Sequence, residues 1–234
     1  MSEKSSGEEL QGGLSRAQLV RRAGMLGAAA ALPGVAAAAP AAADAAASDA
    51  LKALTAAEAT TLDAVLNRLF PTDATGPGAK EANVLRYIDW SLAGDLSVFR
   101  GPYASALAAI DAYAVQTFGA AFAALTTVQQ DQLLANMEAG APEKAAINNK
   151  SNPQSGFAPS SSAVFEMIRT HAIQGMFGDP AHGGNVGFVG WNLVRFPGPR
   201  LVVSNHEQQL DVVPKKALKS TYQLALFKNT KHTP

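Results

Sequence analysis

The chain has 234 residues, of which 47% are hydrophobic and none is cysteine, and 19 basic residues balance 19 acidic ones. This length allows one domain, or at most two small ones, with a core large enough to fold without cross-links. The missing cysteines exclude disulfides, iron–sulfur clusters, covalently attached c-type haem and thiolate zinc sites in this chain. The balanced charge gives no support for nucleic acid as a partner.

Residues 1–50 are predicted to be an export signal followed by an alanine-rich linker. A basic segment with Arg16, Arg21 and Arg22 precedes a short, weakly apolar run that ends in small residues, which is the layout of a secretory signal. Glycine and proline interrupt the run, so it is too weakly hydrophobic for a membrane span. The paired arginines resemble a twin-arginine signal, although Ala17 follows Arg16 where the usual pattern has a second arginine. An amphipathic or disordered arm is the alternative interpretation.

Residues 51–200 are predicted to form a helical domain, beginning with three helices. A capping box at Thr55 opens the first helix, and Pro71 stops it. A second helix is expected from about Lys80 to Leu92, because apolar residues recur at helical spacing. Pro102 is a plausible first residue of the third helix, which runs to Gly119.

Two more helices and a loop are expected in the second half of this domain. A capping box at Thr126 opens a helix that ends before Gly140, and Ser160–Ser162 cap a helix that carries His171. The polar stretch from Ala141 to Pro159 is interpreted as a mobile surface loop. Apart from a short apolar run at 201–203, no segment alternates like a buried strand. The predicted fold is therefore all-α, a compact multi-helix domain with a glycine-rich loop and an extended C-terminal tail at 201–234.

The densest signal in the sequence is a glycine-rich and proline-rich loop between His171 and Arg200. Its composition predicts tight turns and several positive-φ positions, and Trp191 and Phe196 are the expected anchors. One interpretation is a rigid loop presented to a partner or ligand. The other is a connector folded onto its own core, and composition leaves both open.

Histidines in this region raise the question of metal binding or catalysis. His171 and His182 are eleven residues apart, with Asp179 between them, which fits no standard zinc or non-haem iron spacing. Acid–base catalysis would need a partner such as Asp179 or Glu166. A buried, hydrogen-bonded core histidine is the alternative. The sequence contains no nucleophile elbow, phosphate loop, dinucleotide fingerprint or H-E-x-x-H motif.

Several blocks over residues 50–200 resemble, in the same order, the small subunit of gluconate 2-dehydrogenase-type flavoprotein complexes, known as subunit 3 or the gamma subunit. The most specific block reads D-P-x-x-G-G-N, then G-W, then F-P-G. The blocks are Leu54–Glu58, Phe70–Ala79, Tyr87–Asp89, Leu125–Thr126 with Gln129–Gln130, Phe165–Phe177, Asp179–Asn185, Gly190–Trp191 and Phe196–Pro199.

The resemblance implies a periplasmic complex in which labour is divided between subunits. A large subunit of the glucose–methanol–choline (GMC) oxidoreductase type holds FAD and oxidises a sugar, sugar acid or related alcohol, and a cytochrome c subunit can accept the electrons. The small subunit carries the export signal, escorts the large one, holds no cofactor and has no established catalytic residues. Nothing in the resemblance implies nucleic acid, and membrane association would come only through the complex.

The resemblance also implies a partner interface at the loop and at the tail beyond it. Its motif positions are carried over only as interface candidates: Asp179, Pro180, His182, Gly183, Gly184, Asn185, Trp191, Pro197 and Gly198. The tail at 201–234 is too apolar for a solvated segment, so it is expected to lie on the large subunit, with this chain's own domain as the alternative. Two other functions remain open: an exported helical module that binds a small ligand, and an independent enzyme that uses His171 or His182.

Overall fold

Seven α-helices carry the fold of the part of the chain that the structure describes. This computed structural model describes residues 50–148, 156–213 and 215–224. No β-strand occurs in these ranges, and the predicted all-α fold is confirmed. The helices are α1 (Ala56–Leu69), α2 (Val84–Ala93), α3 (Arg100–Phe118), α4 (Thr127–Glu138), α5 (Ala141–Asn148), α6 (Ser161–Phe177) and α7 (Val189–Leu193).

The predicted helix signals are confirmed wherever they depend on neighbouring residues alone. At α1 the Thr55 hydroxyl accepts from the backbone N–H of Glu58, whose carboxylate accepts from the Thr55 N–H. Thr126 and Gln129 form the same capping box at α4. Such boxes satisfy backbone donors that a helix start leaves without partners.

Helices α2 and α3 begin at other residues than predicted. The second helix begins at Val84 rather than near Lys80, because Asn83 has a left-handed backbone (φ 56°) that interrupts any helix passing through it. The third begins at Arg100, so that Pro102 is its third residue. Proline is tolerated there because the first helical N–H groups have no intrahelical acceptor.

The predicted mobile loop at 141–159 is wrong in its first half, which forms α5. The Glu143 carboxylate accepts hydrogen bonds from the backbone N–H and the hydroxyl of Ser161, at 2.7 and 2.5 Å. This long-range contact ties α5 to the start of α6, which the polar composition of the segment could not reveal. Further on, Phe157 is buried and its ring lies 6.0 Å from that of Tyr113. Residues 149–155 lie outside the described ranges.

Helix α6 occupies the centre of the bundle and packs against α1, α2 and α4. The core is aliphatic and aromatic, and its largest fully buried side chains are Tyr103, Phe122, Leu62, Leu66, Ile88, Leu92, Leu107, Ile110, Leu133, Met137, Ile168 and Met176. No helix within the described ranges has both the length and the apolar character needed to cross a membrane. The C-terminal end of α6 leads directly into the glycine-rich loop.

Candidate functional site

The glycine-rich loop, residues 178–199, has a tightly turned backbone. The predicted positive-φ positions are confirmed at three glycines, 183, 187 and 198. Asn185, Phe188 and Arg195 also have positive φ, with values between 47° and 61°. Side chains other than glycine adopt this region at a cost that the surrounding contacts must offset. The loop is therefore a built structure held by its own contacts.

Asn185 holds the two ends of this loop together. Its side chain is fully buried, and its amide nitrogen donates to the Gly178 carbonyl at 2.8 Å. Its amide oxygen accepts from the Gly190 N–H, also at 2.8 Å. One side chain thus satisfies a carbonyl at the end of α6 and a donor at the start of α7, which would otherwise be buried without partners.

Two glycines allow α7 and the preceding turn to lie directly on the backbone of α6. A Cβ added at Gly184 would lie 2.3 Å from the Gly175 carbonyl oxygen. One added at Gly190 would lie 1.8 Å from the Met176 carbonyl oxygen. No side chain fits at either position, because these distances are far inside van der Waals contact and the obstacle is backbone.

Trp191 anchors the loop, as its aromatic character predicted. The indole is 94% buried, given its exposed fraction of 6%. Its ring packs edge-on against Phe196, at 4.9 Å between centroids, and at 5.3 Å from Phe188. The indole N–H donates to the Phe177 carbonyl at 2.8 Å, so both the apolar ring and its polar atom are satisfied within this chain.

Asp179 joins the loop to the C-terminal tail. Its carboxylate accepts from the Ala181 N–H at 3.0 Å, and from the Ser220 hydroxyl and the Thr221 N–H at 2.6 Å each. Burial raises the pKa of the Asp179 carboxyl, but these hydrogen bonds outweigh it, so that the pKa lies below its ordinary value. Nearby, the ring of Tyr222 lies 6.1 Å from that of His182.

The tail makes a second contact with the loop at Pro197 and Gly198. The Ala217 N–H donates to the Pro197 carbonyl at 2.7 Å, and Lys216 donates to the Asn192 side chain. A Cβ at Gly198 would lie 2.1 Å from the Ala217 carbonyl oxygen. Residues 215–224 therefore lie on this chain's own loop, the alternative that the sequence had left open.

The two histidines lie in different surroundings. His171 is buried, and its Nδ1 lies 3.0 Å from the Tyr103 hydroxyl, with the Phe99 ring packed edge-on at 4.9 Å. Burial lowers the pKa of His171, which favours the neutral imidazole. His182 is exposed beside Tyr222. His171 is thus a hydrogen-bonded core residue, the bland interpretation of the sequence.

The acidic partners proposed for these histidines bond elsewhere. Asp179 binds the tail, and Glu166 forms an ion pair with Arg169 on the same helix. Within the described ranges, no group of three or more histidine, aspartate or glutamate side chains is placed to hold a metal ion. The geometry therefore offers no support for a catalytic or metal role of His171 or His182.

The comparisons with known proteins identify the family. The family model described as gluconate 2-dehydrogenase subunit 3 matches residues 56–198, which is most of the described chain. The chain belongs to the gluconate 2-dehydrogenase subunit 3 family. The suspected resemblance is thereby confirmed. No curated protein and no solved structure matches it. Family membership makes the chain a small subunit of a dehydrogenase complex.

The predicted interface residues all lie in one loop of this subunit 3 chain, but most face inward. Five of them are buried, three are half-buried and only His182 is exposed. The buried ones are Gly183, Gly184, Asn185, Trp191 and Gly198, and the half-buried ones are Asp179, Pro180 and Pro197. Their contacts within the chain build the loop, and their role at a partner interface stays a prediction. The predicted signal residues Arg16, Arg21 and Arg22 lie outside the described ranges.

The sequence interpretation missed Asp89, a buried carboxylate of the subunit 3 domain. It is 2% exposed and accepts from the consecutive backbone N–H groups of residues 52, 53 and 54, at 2.7, 2.9 and 2.8 Å. Arg100 also holds this segment, donating to the Ala53 carbonyl at 2.8 Å while forming a bidentate pair with Glu58. An acidic residue between apolar positions of a predicted helix, as at Ile88-Asp89, was the available signal.

We predict that Asp179→Asn loosens the tail of the subunit 3 chain. The amide keeps one acceptor oxygen and points a donor at the Ser220 hydroxyl or the Thr221 N–H, whereas hydrogen bonds to a charged group contribute roughly 1.5–3 kcal/mol. Hydrogen exchange at the Thr221 amide should speed up by about tenfold or more at neutral pH. Asp211→Asn is the matched control, because that exposed carboxylate lies in the same tail.

The same contact predicts a pH dependence of a definite sign. Because folding lowers the pKa of Asp179, its contribution to tail binding is present above the ordinary value of 3.8 and is lost as the pH falls through the lowered value. Protection of Thr221 in the wild-type chain should therefore fall in that acidic range, while the Asp179→Asn chain lacks this step. Equal exchange in the two chains at all pH values would contradict the assignment.

Proposed function

We propose that this chain is the non-catalytic small subunit of an exported, flavin-dependent dehydrogenase complex that oxidises a sugar, sugar acid or related alcohol. The observation that carries the proposal is the family match, which spans the helical domain from α1 through the glycine-rich loop at 56–198. The loop supports it, since Asp179, Asn185 and Trp191 all direct their polar atoms to partners in this chain. Such residues stabilise a surface and have no free group for chemistry.

The partner in this proposal is a large subunit of the GMC oxidoreductase type, which holds FAD and the substrate pocket. A cytochrome c subunit would accept the electrons as a third component. This chain would hold neither FAD nor haem. Its contribution would be to stabilise the large subunit and to bring it to the periplasm.

The escort role rests on the predicted signal at 1–50. The first described residues after it, 52–54, are held by Asp89 and by Arg100. The folded domain thus begins directly after the predicted signal. A signal joined so closely to a folded subunit would export whatever that subunit binds, which suits a large subunit without a signal of its own.

The test is recovery of the full-length chain, tagged after residue 234, from the periplasm of its native host. We expect a large chain with the visible absorbance of flavin to co-purify, while the small chain purified away from it has no flavin absorbance. Recovery of the small chain with no large flavin chain would contradict the subunit assignment. Flavin bound to the small chain alone would contradict its non-catalytic role.

The escort role is tested separately by Arg21→Lys/Arg22→Lys. A twin-arginine receptor reads guanidinium geometry, so a charge-conserving change should remove most of both subunits from the periplasm. Lys4→Arg is the control, because it makes the reverse swap in the same segment. If the large chain still reaches the periplasm while the small chain does not, the escort role is wrong. The matching change at Arg16 shows which arginine the receptor reads.

A further inference from the structure

Exposed apolar side chains of this protein concentrate in one region. Ten of the fifteen large hydrophobic side chains that are exposed in the described ranges lie between residues 186 and 222. They are Val186, Leu193, Val194, Phe196, Leu201, Val202, Val203, Leu210, Val213 and Tyr222. Single exposed apolar residues are ordinary on a protein surface, whereas a concentration of them marks a surface that binds something.

The most exposed members lie in residues 201–213, which we term the apolar arm. Val202 is 83% exposed, Leu210 is fully exposed and Val213 is 89% exposed. The arm contains one short turn at His206–Gln208 and no α-helix. It lies beyond residue 198, where the family match ends. These side chains gain nothing from the core, so their burial must come from another surface.

The arm is held at its base by bonds within the chain. The Arg200 guanidinium pairs with Glu207 at 2.5 Å and also donates to the Lys215 carbonyl, which brings the two ends of the arm together. The Ala217–Pro197 backbone bond and the Asp179 contacts with Ser220 and Thr221 fix the returning segment on the loop. A segment fixed in this way loses less conformational entropy on binding than a free tail does.

The charges beside the arm indicate what kind of surface it fits. Lys215, Lys216 and Lys219 are exposed at its C-terminal base, and none of them forms an ion pair with another described residue. In a two-fold contact between copies of this chain, these lysines would face their own equivalents, and like charges at an interface are unfavourable. A different partner with acidic residues around an apolar cleft would complement both features.

We propose that the apolar arm inserts into an apolar cleft with an acidic rim on the large flavin-containing subunit. This inference rests on the proposed function and places the main contact at residues 201–213. The buried motif residues of the loop then act one step away, by holding the base from which the arm projects. Asp179 and Gly198 position the arm, and Val202 and Leu210 make the contact.

The test compares two double variants of the full-length chain, each co-expressed with the large flavin subunit that the periplasmic pull-down recovers. Val202→Asp/Leu210→Asp places charge in the arm. Val98→Asp/Val128→Asp makes the same change at positions that are 77% and 73% exposed on the helical domain. We expect the arm variant to lower the flavin recovered per small chain by about tenfold or more, as loss of interface hot spots does. The control should stay within about twofold of wild type.

A charge-reversal variant, Lys215→Glu/Lys219→Glu, tests the acidic rim without changing an apolar residue. It should weaken capture at low salt, and the difference from wild type should shrink at high salt, because ions screen exposed charges. Circular dichroism of each variant should match wild type, since all the changed side chains are exposed.

The outcomes separate this inference from the proposed function. If the wild-type chain recovers no flavin subunit, the proposed function and the arm contact both fall. If the wild-type chain recovers it and the arm variant recovers as much, the arm contact alone is wrong. If the arm variant instead dissociates a dimer of this chain while flavin recovery is unchanged, the arm binds a second copy and the proposal is overturned.

Discussion

Replacing Gly190 with alanine is expected to lower the free energy of unfolding by about 3 kcal/mol or more, which belongs to the severe range for single substitutions. The added Cβ would lie 1.8 Å from the Met176 carbonyl oxygen and 2.9 Å from the Phe177 ring. Helix α7 would have to move away from α6. That movement would stretch the bond between the Gly190 N–H and Asn185. Urea unfolding followed by circular dichroism measures the change.

Gly101→Ala is the control for this experiment. Gly101 lies in the exposed first turn of α3, and a Cβ there meets no atom within 4 Å. Alanine is the better helix former, so this variant should be as stable as wild type or more stable, by up to about 1 kcal/mol. Equal stability of the Gly190→Ala and Gly101→Ala chains would show that α7 does not lie against α6 as described.

Asp89→Asn is expected to release the segment that leads into α1 and to destabilise the domain by about 2 kcal/mol or more, because a buried acceptor is exchanged for a donor. The carboxylate accepts from three consecutive backbone N–H groups, two of them on Oδ1 and one on Oδ2. An amide of the same shape has one acceptor oxygen, so at least one of these N–H groups would face an NH2 group. Urea unfolding and limited proteolysis near residue 52 would both report the change.

Asp95→Asn is the matched control, because Asp95 is exposed just beyond the same helix. Its loss of charge should change stability by no more than about 0.5 kcal/mol. Cleavage near residue 52 that is equally slow in the Asp89→Asn and Asp95→Asn chains would contradict the anchoring role.

The two variants also separate stability from complex formation. Gly190→Ala disturbs the loop that carries the base of the arm, so recovery of the large subunit should fall with it. Asp89 holds the opposite end of the chain, before α1. Asp89→Asn should therefore reduce stability more than it reduces capture of the large subunit at temperatures where the chain stays folded.

Features that depend on neighbouring residues were predictable from the sequence. The capping boxes at Thr55 and Thr126, the stop before Pro71 and the left-handed Gly119 at the end of α3 are local, since each is decided within one helical turn. The same holds for the positive-φ positions in the glycine-rich loop. The family, too, could be identified from its motifs, because the D-P-x-x-G-G-N block is continuous in the sequence.

Features that depend on distant residues were decided by the tertiary structure. Helix α5 is tied down by Glu143 reaching Ser161, and the N-terminal segment by Asp89 reaching back to residues 52–54. The direction in which the loop faces belongs here as well: Asp179 turns toward Ser220, and Trp191 toward Phe177, so the motif faces its own chain. Hydrogen bonds and ring contacts between residues far apart in sequence leave no periodic or local pattern, which is why composition could show a rigid loop but not which of its side chains remain exposed to a partner.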